Sequence, residues 1–177
     1  MAAPRVLDLD ILIDREDWVA ELPAVEGLCR QAADAAMAQT WHGTRCAEAT
    51  LLLADDARIA HLNRTFRGID GPTNVLSFPA SDANIQQAGE SDDTGRPVLL
   101  GDIILAFETV RVEANRDGKS LADHVSHLVV HGILHLLGYD HQTDPEAEVM
   151  EALEASVLSG LGVADPYRSA RHLSHGQ

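Results

Sequence analysis

The stretch HLVVHGILHLLGYDH, residues 127–141, places three regularly spaced histidines on what reads as a buried helix and the turn after it. His131 and His135 are four residues apart, so on a helix their imidazoles lie on one face, one turn from each other. Gly138 can end that helix and turn the chain back, which brings His141 toward the same point. Three converging imidazoles with no fourth ligand nearby predict a zinc site, one ion per chain, with an open position for water or substrate.

The helix predicted to carry these residues, Leu121–Leu137, is apolar around nearly its whole circumference. Such a pattern is typical of a buried central helix. Buried imidazoles need partners, and a metal ion satisfies two of them at once. A purely structural zinc is disfavoured, because no cysteine or fourth histidine completes a closed site. Four histidines elsewhere are interpreted as ordinary surface or core residues: His42, His61, His172 and His175.

Two further histidines, His124 and His127, precede the proposed ligands on the same helix face. At about 1.5 Å of rise per residue, His124 lies roughly 10 Å from His131 along the axis, which is too far for the metal shell. They are expected to contact substrate or a carboxylate, or simply to be hydrogen-bonded.

The spacing of the three histidines is also that of the metzincin zinc proteases. In zinc proteases a glutamate, the general base, directly follows the first histidine. Gly132 occupies that position here, so a peptidase mechanism lacks its base. Metal-assisted hydrolysis remains possible, because zinc lowers the pKa of bound water to about 7. A phosphodiester, whose transition state needs charge neutralisation, suits such a site.

Strand patterns alternate with helix patterns through the rest of the chain, which predicts one α/β or α+β domain with a single sheet over residues 1–177. Strands are predicted at residues 5–13, Ala47–Leu53, Val75–Phe78 and Val98–Ala106. Helices are predicted at Pro23–Gln39, from Asp55 or Asp56 to Arg67, and at Glu108–Arg116, Leu121–Leu137 and Asp144–Leu158. Residues 80–97 are predicted to be a mobile surface loop. The polar tail is predicted to fray from Ala164, and above all over residues 168–177.

The chain carries 28 acidic and 13 basic residues, a formal net charge of −15. That balance argues against a general nucleic-acid-coating protein. Arg58, Arg64 and Arg67, however, fall in a stretch without acids, and Arg64 and Arg67 share a helix face. They can clamp a phosphate or merely complement the helix dipole, and spacing alone favours the dipole. A last helix carries five acids that are interpreted as a solvated face: Asp144, Glu146, Glu148, Glu151 and Glu154.

Two cysteines, Cys29 and Cys46, are too few for a disulfide scaffold and favour a reducing compartment. The first residues do not resemble a signal peptide, and the most apolar segment, Leu128–Gly138, is too short to span a bilayer. A cytoplasmic protein without a membrane contact is therefore expected.

Three blocks make the chain resemble the YbeY family of bacterial zinc-dependent endoribonucleases. They are LNRTFRGIDGPTNVLSFP at 62–79, LLGDIIL at 99–105 and HLVVHGILHLLGYDH at 127–141, and EVMEALEASVLSGLGVADPY at 148–167 resembles the family's C-terminal helix. The resemblance implies an α+β domain with a small mixed sheet around a central buried helix, as in the zincins. It also implies His131, His135 and His141 as zinc ligands and Arg67 as the functional arginine of the cleft. The catalytic residues predicted in this way are Arg67, His131 and His135.

The resemblance further implies single-stranded RNA as substrate, in the 3′ end maturation of small-subunit ribosomal RNA and in ribosome quality control. The small ribosomal subunit and its assembly proteins are the implied partners, and no DNA is expected. Asn74, where many members carry aspartate, receives no catalytic role, and Asp140 is predicted either to orient a ligand or to be a turn residue. Two alternatives remain: a zinc-peptidase-like hydrolase, and a non-catalytic ribosome-assembly factor with a structural zinc.

Overall fold

The computed structural model describes residues 6–80 and 95–168. Its strands and helices are, in chain order, β1 (Leu7–Ile13), α1 (Asp17–Glu21), α2 (Val25–Thr40), β2 (Ala47–Ala54), α3 (Asp56–Arg67), β3 (Val75–Pro79), β4 (Val98–Ala106), α4 (Phe107–Arg116), α5 (Leu121–Leu136) and α6 (Asp144–Gly160). Every element predicted from the sequence is present, with bounds within two residues of the prediction.

The short helix α1 was not predicted from the sequence. Five residues are too few to show a hydrophobic period, so its presence depends on tertiary contacts. Trp18 supplies these contacts. Its side chain is fully buried, and its ring packs edge-on against that of Phe107 with the centroids 5.1 Å apart. Its Nε1 donates a 2.9 Å hydrogen bond to the carbonyl of Ala54.

The four strands form one mixed sheet in the order β1-β2-β4-β3. Strands β1, β2 and β4 run parallel, whereas β3 pairs antiparallel with β4 and forms one edge of the sheet. Strand β4 is central and almost continuously apolar, and its buried Ile103 and Ile104 face opposite sides of the sheet. This arrangement confirms the predicted α+β class with a small mixed sheet.

Helices cover the two faces of this sheet unequally. Helices α2 and α5 pack on one face and build the main core with the apolar side chains of all three parallel strands. Helix α3 covers part of the other face, where Ile59 packs with Leu76 and Ile104 in a smaller cluster. Helix α5 lies between α2, α6 and the sheet, so the histidine-bearing helix is the central one, as predicted.

The close approach of β3 to β4 depends on a glycine. Gly101 adopts φ 131°, and a Cβ atom there would lie 2.1 Å from the carbonyl oxygen of Phe78. Only glycine tolerates both this backbone conformation and this contact. Strand β3 is thereby held against β4, and its free edge faces the end of α5.

The ends of α5 follow from local sequence. The side chain of Ser120 accepts a 3.0 Å hydrogen bond from the backbone N–H of Asp123 and so caps the first turn. After Leu136 the chain turns at Gly138, which adopts φ 95°, and the N–H of Tyr139 returns to the carbonyl of Leu134 at 3.0 Å. This turn carries residue 141 back toward the last two turns of α5.

The predicted loop and tail lie largely outside the described residues. Of the loop, residues 81–94 are not described; of the tail, residues 169–177 are not. The fraying predicted from Ala164 is wrong for the described part of the tail, because Tyr167 is half-buried and contacts His127 and Glu154. The prediction relied on the polar composition of this segment and did not take account of Tyr167, whose partner Glu154 is buried.

Among residues 6–80 and 95–168, the structure contains no helix that combines the length and the apolarity needed to cross a membrane.

Candidate metal centre

Three imidazoles converge at the C-terminal end of α5. The ring centroids of His131 and His135 lie 4.6 Å apart, as expected for neighbours on successive helical turns. The His141 ring, carried back by the turn at Gly138, lies 5.6 Å from that of His131 and 5.0 Å from that of His135. One nitrogen from each ring lies within 4.8 Å of the other two. The cluster predicted from the spacing is therefore present.

The electrostatics of the cluster favour the neutral form of His135. Burial, with the neighbouring rings of His131 and His141, lowers the pKa of His135 to about 4. A neutral imidazole has a free lone pair, which a divalent cation requires. Three imidazole nitrogen donors beside an open cleft suit zinc, whose bonds to imidazole are about 2.0–2.1 Å long. The residues present thus fit the metal ion that the spacing predicts.

A buried carboxylate supports this cluster from behind. Glu154, in the middle of α6, is completely buried, and its Oε1 is hydrogen-bonded to Nδ1 of His131. Its Oε2 contacts the phenol of Tyr167 and lies 3.3 Å from Nε2 of His127. Burial alone raises the pKa of this carboxyl, but hydrogen bonds from His127, His131 and Tyr167 outweigh burial and lower the pKa to about 2.

The interpretation of α6 as a wholly solvated acidic face is therefore wrong for Glu154. A helical period of 3.6 residues puts Met150, Glu154 and Leu158 on the buried side of α6, and all three are buried. An acid at the spacing of apolar residues is the signal that could have identified it. The signal was difficult to recognise, because four other acids precede Glu154 in the same helix.

Together, His127, His131 and Glu154 form a second group whose ligand atoms lie within 4.8 Å of one another. Two ligands of one zinc ion, each bonded at about 2.0 Å, lie roughly 3 Å or more apart. Nδ1 of His131 and the Glu154 carboxylate are in hydrogen-bond contact and leave no space for an ion between them. We therefore assign this group as a hydrogen-bonded support of the first.

His124, one turn before His127, contacts another carboxylate. Its Nε2 lies 2.8 Å from Oε2 of Glu113 in α4. Burial lowers the pKa of His124, although Glu113 opposes this effect. Of the contacts expected for His124 and His127, with substrate, with a carboxylate or with any hydrogen-bond partner, the structure shows those with carboxylates. Of the histidines expected to be ordinary, His42 and His61 are exposed and belong to no candidate metal group of the described residues, whereas His172 and His175 lie outside those residues.

A cleft of about 480 Å³ opens between the histidines and the edge strand β3. Arg67, the last residue of α3, lines it together with residues 73–77 and the three imidazoles. Arg64, one turn earlier, pairs with Asp70 at 2.9 Å, whereas Arg67 is exposed and forms no ion pair within the described residues. Arg67 therefore lies in the cleft that the histidines line. Spacing alone had favoured a role at the helix dipole over a role in phosphate binding.

Sequence comparisons identify the family of the chain. The family model Endoribonuclease YbeY matches residues 12–162. The chain belongs to the YbeY family. Relatives named Endoribonuclease YbeY include one from Rhodopseudomonas palustris strain BisB5, 46% identical over 174 residues, with 98% of this chain and 88% of the relative covered. Another, from Paramagnetospirillum magneticum, is 50% identical over 150 residues, with 85% and 89% covered.

A solved structure also resembles the chain. The solution structure of a protein from Thermotoga maritima matches with a TM-score of 0.53 and 22% identity, and the match covers 87% of this chain and 91% of that one. At this identity the likeness supports the fold alone. The resemblance to the YbeY family stated from the three sequence blocks is confirmed.

In this YbeY-family chain, Gly132 also has a packing role, besides lacking a side chain that could accept a proton. A Cβ atom at Gly132 would lie 2.9 Å from both Cδ1 and Cγ2 of Ile103 in β4. The glycine thus lets α5 lie close to the sheet. A glutamate at this position would point into the core, so the base of the zinc proteases has no room here.

Asp140 and Asn74 also line the cleft. Asp140 accepts a 2.8 Å hydrogen bond from the backbone N–H of His141. Of the two alternatives expected for it, orientation of a ligand and a role in the turn, this contact supports the role in the turn. Asn74 uses its side chain internally, because Nδ2 donates to Glu113 at 2.9 Å and Oδ1 accepts from the N–H of Val75 at 2.7 Å. Both side chains are thereby engaged in holding the backbone beside the cleft.

Proposed function

We propose that this chain is a zinc-dependent endoribonuclease that cleaves single-stranded RNA during 3′ end maturation of small-subunit ribosomal RNA and in ribosome quality control. The observation that carries the proposal is that Arg67, which no carboxylate of the described residues pairs with, lines the same cleft as three imidazoles that can hold a metal ion. Membership of a family whose curated members are named Endoribonuclease YbeY supplies the substrate class.

In this proposal, His131, His135 and His141 hold one zinc ion. Three protein ligands would leave the ion one coordination position for water or substrate, as in catalytic zinc sites. The chemistry that zinc supplies when bound is Lewis-acid polarisation of a phosphoryl oxygen. His131 and His135 thereby count as catalytic residues through the ion that they hold.

The proposed role of Arg67 is to bind the scissile phosphate. A guanidinium donates two parallel hydrogen bonds to a phosphate and stabilises the negative charge that grows during cleavage. Arg67 is suited to this role because no carboxylate of the described residues neutralises it. The neighbouring Arg64 is not, because Asp70 already pairs with it.

The net charge of −15 shapes the proposal further. Long-range repulsion disfavours RNA at a distance, but at physiological salt it is screened beyond a Debye length of about 8 Å. Attraction at the cleft therefore acts only at short range. We propose that the small ribosomal subunit and its assembly proteins present the RNA to the cleft, in the cytoplasm. Weak binding to bulk RNA is the expected consequence.

The decisive experiment compares the cleavage of single-stranded RNA by the wild type and by His131→Ala and Arg67→Ala, each with its zinc content measured. We expect His131→Ala to lose zinc and cleavage, and Arg67→Ala to keep zinc and lose cleavage. Arg64→Ala is the matched control and keeps both. Cleavage by pure, metal-free His131→Ala would contradict the proposal.

The same experiment separates the two alternatives. An assembly factor with a structural zinc predicts that folded, zinc-loaded Arg67→Ala still supports ribosome maturation. A peptidase predicts peptide cleavage that persists through repeated purification.

A further inference from the structure

We propose that Glu154, with Tyr167 behind it, is the positioning residue of the metal centre, because its carboxylate fixes His131 in the one tautomer that can bind the ion. The inference rests on the metal site of the proposed function. It concerns two residues that lie outside the cleft and do not contact substrate.

The contact between the carboxylate and the ring determines the tautomer. An ionised carboxylate can only accept hydrogen bonds, so Nδ1 of His131 carries the hydrogen that faces Glu154. A neutral imidazole has a single N–H, and Nε2 is therefore left with its lone pair. The ring centroids of His135 and His141 lie 4.6 and 5.6 Å from that of His131. Nε2 is the nitrogen of His131 that Glu154 leaves available to an ion shared with them. The carboxylate thus leaves Nε2 of His131 without a hydrogen, so that this nitrogen can bind the ion.

The burial of Glu154 indicates a structural role for its carboxylate, because a buried charge does not contribute to the solubility of the surface. Glu154 is completely buried, and no lysine or arginine of the described residues pairs with it. A buried charge without a cation is costly unless hydrogen bonds satisfy it. Three donors do so here, from His127, His131 and Tyr167. An apolar side chain would pack at this position of α6 without that requirement.

Tyr167 completes the arrangement from the segment that follows α6. Its hydroxyl donates to Oε2 of Glu154, which leaves Oε1 for His131. Its ring also packs edge-on against His127, with centroids 5.8 Å apart. Tyr167 therefore limits the rotation of the Glu154 carboxylate. Two elements distant in sequence from α5 thereby orient one ligand on it.

A carboxylate behind a ligating imidazole has a general effect on metal binding. It fixes the ring orientation and makes the ligand nitrogen more basic, and its loss typically lowers metal affinity about 10–100-fold. We expect Glu154→Leu and Glu154→Gln to lower zinc affinity within this range. Tyr167→Phe leaves the carboxylate in place but less constrained, so a decrease of less than about 10-fold is expected.

The test uses the whole chain and two readouts that do not involve RNA. Zinc affinity is measured by competition with a chelating indicator. The tautomer of His131 is determined by nitrogen-15 NMR of the metal-free protein. Glu148→Gln is the matched control, because Glu148 is an exposed acid on the same helix. We expect His131 to be Nδ1–H in the wild type and the control, and to lose that preference in Glu154→Leu.

Three results would overturn the inference: an Nε2–H tautomer of His131 in the wild type, wild-type zinc affinity in a folded Glu154 variant, or an equal loss in Glu148→Gln. If Glu154→Leu does not fold, the wild-type tautomer and the affinities of Glu154→Gln and Tyr167→Phe decide the question. Because RNA is absent, the two proposals fail separately. A chain with the expected tautomer and zinc affinity that cleaves no RNA would contradict only the proposed function.

Discussion

The amide of Asn74 donates a 2.9 Å hydrogen bond to the carboxylate of Glu113, and this contact joins the start of the cleft strand β3 to helix α4. The same carboxylate oxygen lies 2.8 Å from Nε2 of His124. Glu113 thus connects three elements just behind the cleft. The neutral amide matters, because a second carboxylate at position 74 would face Glu113 without a donor.

We therefore expect Asn74→Asp to destabilise the fold at neutral pH by about 1–3 kcal/mol, the usual cost of an unsatisfied polar partner. Urea unfolding measures the change. The double variant Asn74→Asp/Glu113→Gln, in which amide and carboxylate exchange places, should recover most of the loss. Equal destabilisation by the single and double variants would show that the contact is not the cause.

Zinc should stabilise the folded chain, because the three histidines converge only in the native state. At free zinc 100-fold above its dissociation constant, the gain is about 2.7 kcal/mol, or roughly 5–10 °C in Tm. Differential scanning calorimetry with and without a chelator measures it. His141→Ala should lose most of this shift. A shift of full size in that variant would place the ion elsewhere.

An added side chain should lower the stability of the fold at Gly132 and raise it at Gly27. Gly132→Glu forces an unpaired carboxylate against Ile103 and should cost more than about 3 kcal/mol. Gly27, exposed in α2, has open space within 4 Å of the position that a Cβ atom would take, so Gly27→Ala should stabilise by up to about 1 kcal/mol through helix propensity. Thermal unfolding compares the two, and a stable Gly132→Glu would contradict the packing of α5 on β4.

The two cysteines should differ in reactivity. Burial raises the pKa of the Cys29 thiol to about 12, whereas Cys46 is exposed. The reactive thiolate of Cys29 is therefore scarce at pH 8, and its side chain is inaccessible. A thiol-reactive dye should label Cys46 alone in the native protein and both cysteines in denaturant. Rapid native labelling of a Cys46→Ser variant would contradict the core described for α2.

Arg67→Lys tests geometry separately from charge. Lysine keeps the positive charge but cannot donate two parallel hydrogen bonds to one phosphate. The loss of one charge-assisted hydrogen bond, about 1.5–3 kcal/mol, corresponds to a decrease in kcat/KM of roughly 10–150-fold. Zinc content should not change. Full activity of this variant would show that only the charge of Arg67 matters.

Much of the histidine cluster could be predicted from the sequence, because its three residues are close together in the chain. Spacing of four residues places His131 and His135 on one helix face, and a glycine two residues after the helix allows the return of His141. Strand and helix bounds also followed from periodicity and capping residues. These relations depend on backbone geometry over a few residues, which sequence patterns record directly.

The surroundings of the three histidines were decided only by the tertiary structure. Glu154 meets His131 from 23 positions away, and Tyr167 meets His127 from 40 positions away. Arg67 reaches the cleft because β3 is an edge strand beside α5, a consequence of the strand order β1-β2-β4-β3. Periodicity shows which residues share a face of one element. Which element that face meets depends on how all the apolar faces pack at once. For that reason the histidine cluster could be predicted from the sequence and its hydrogen-bonded support could not.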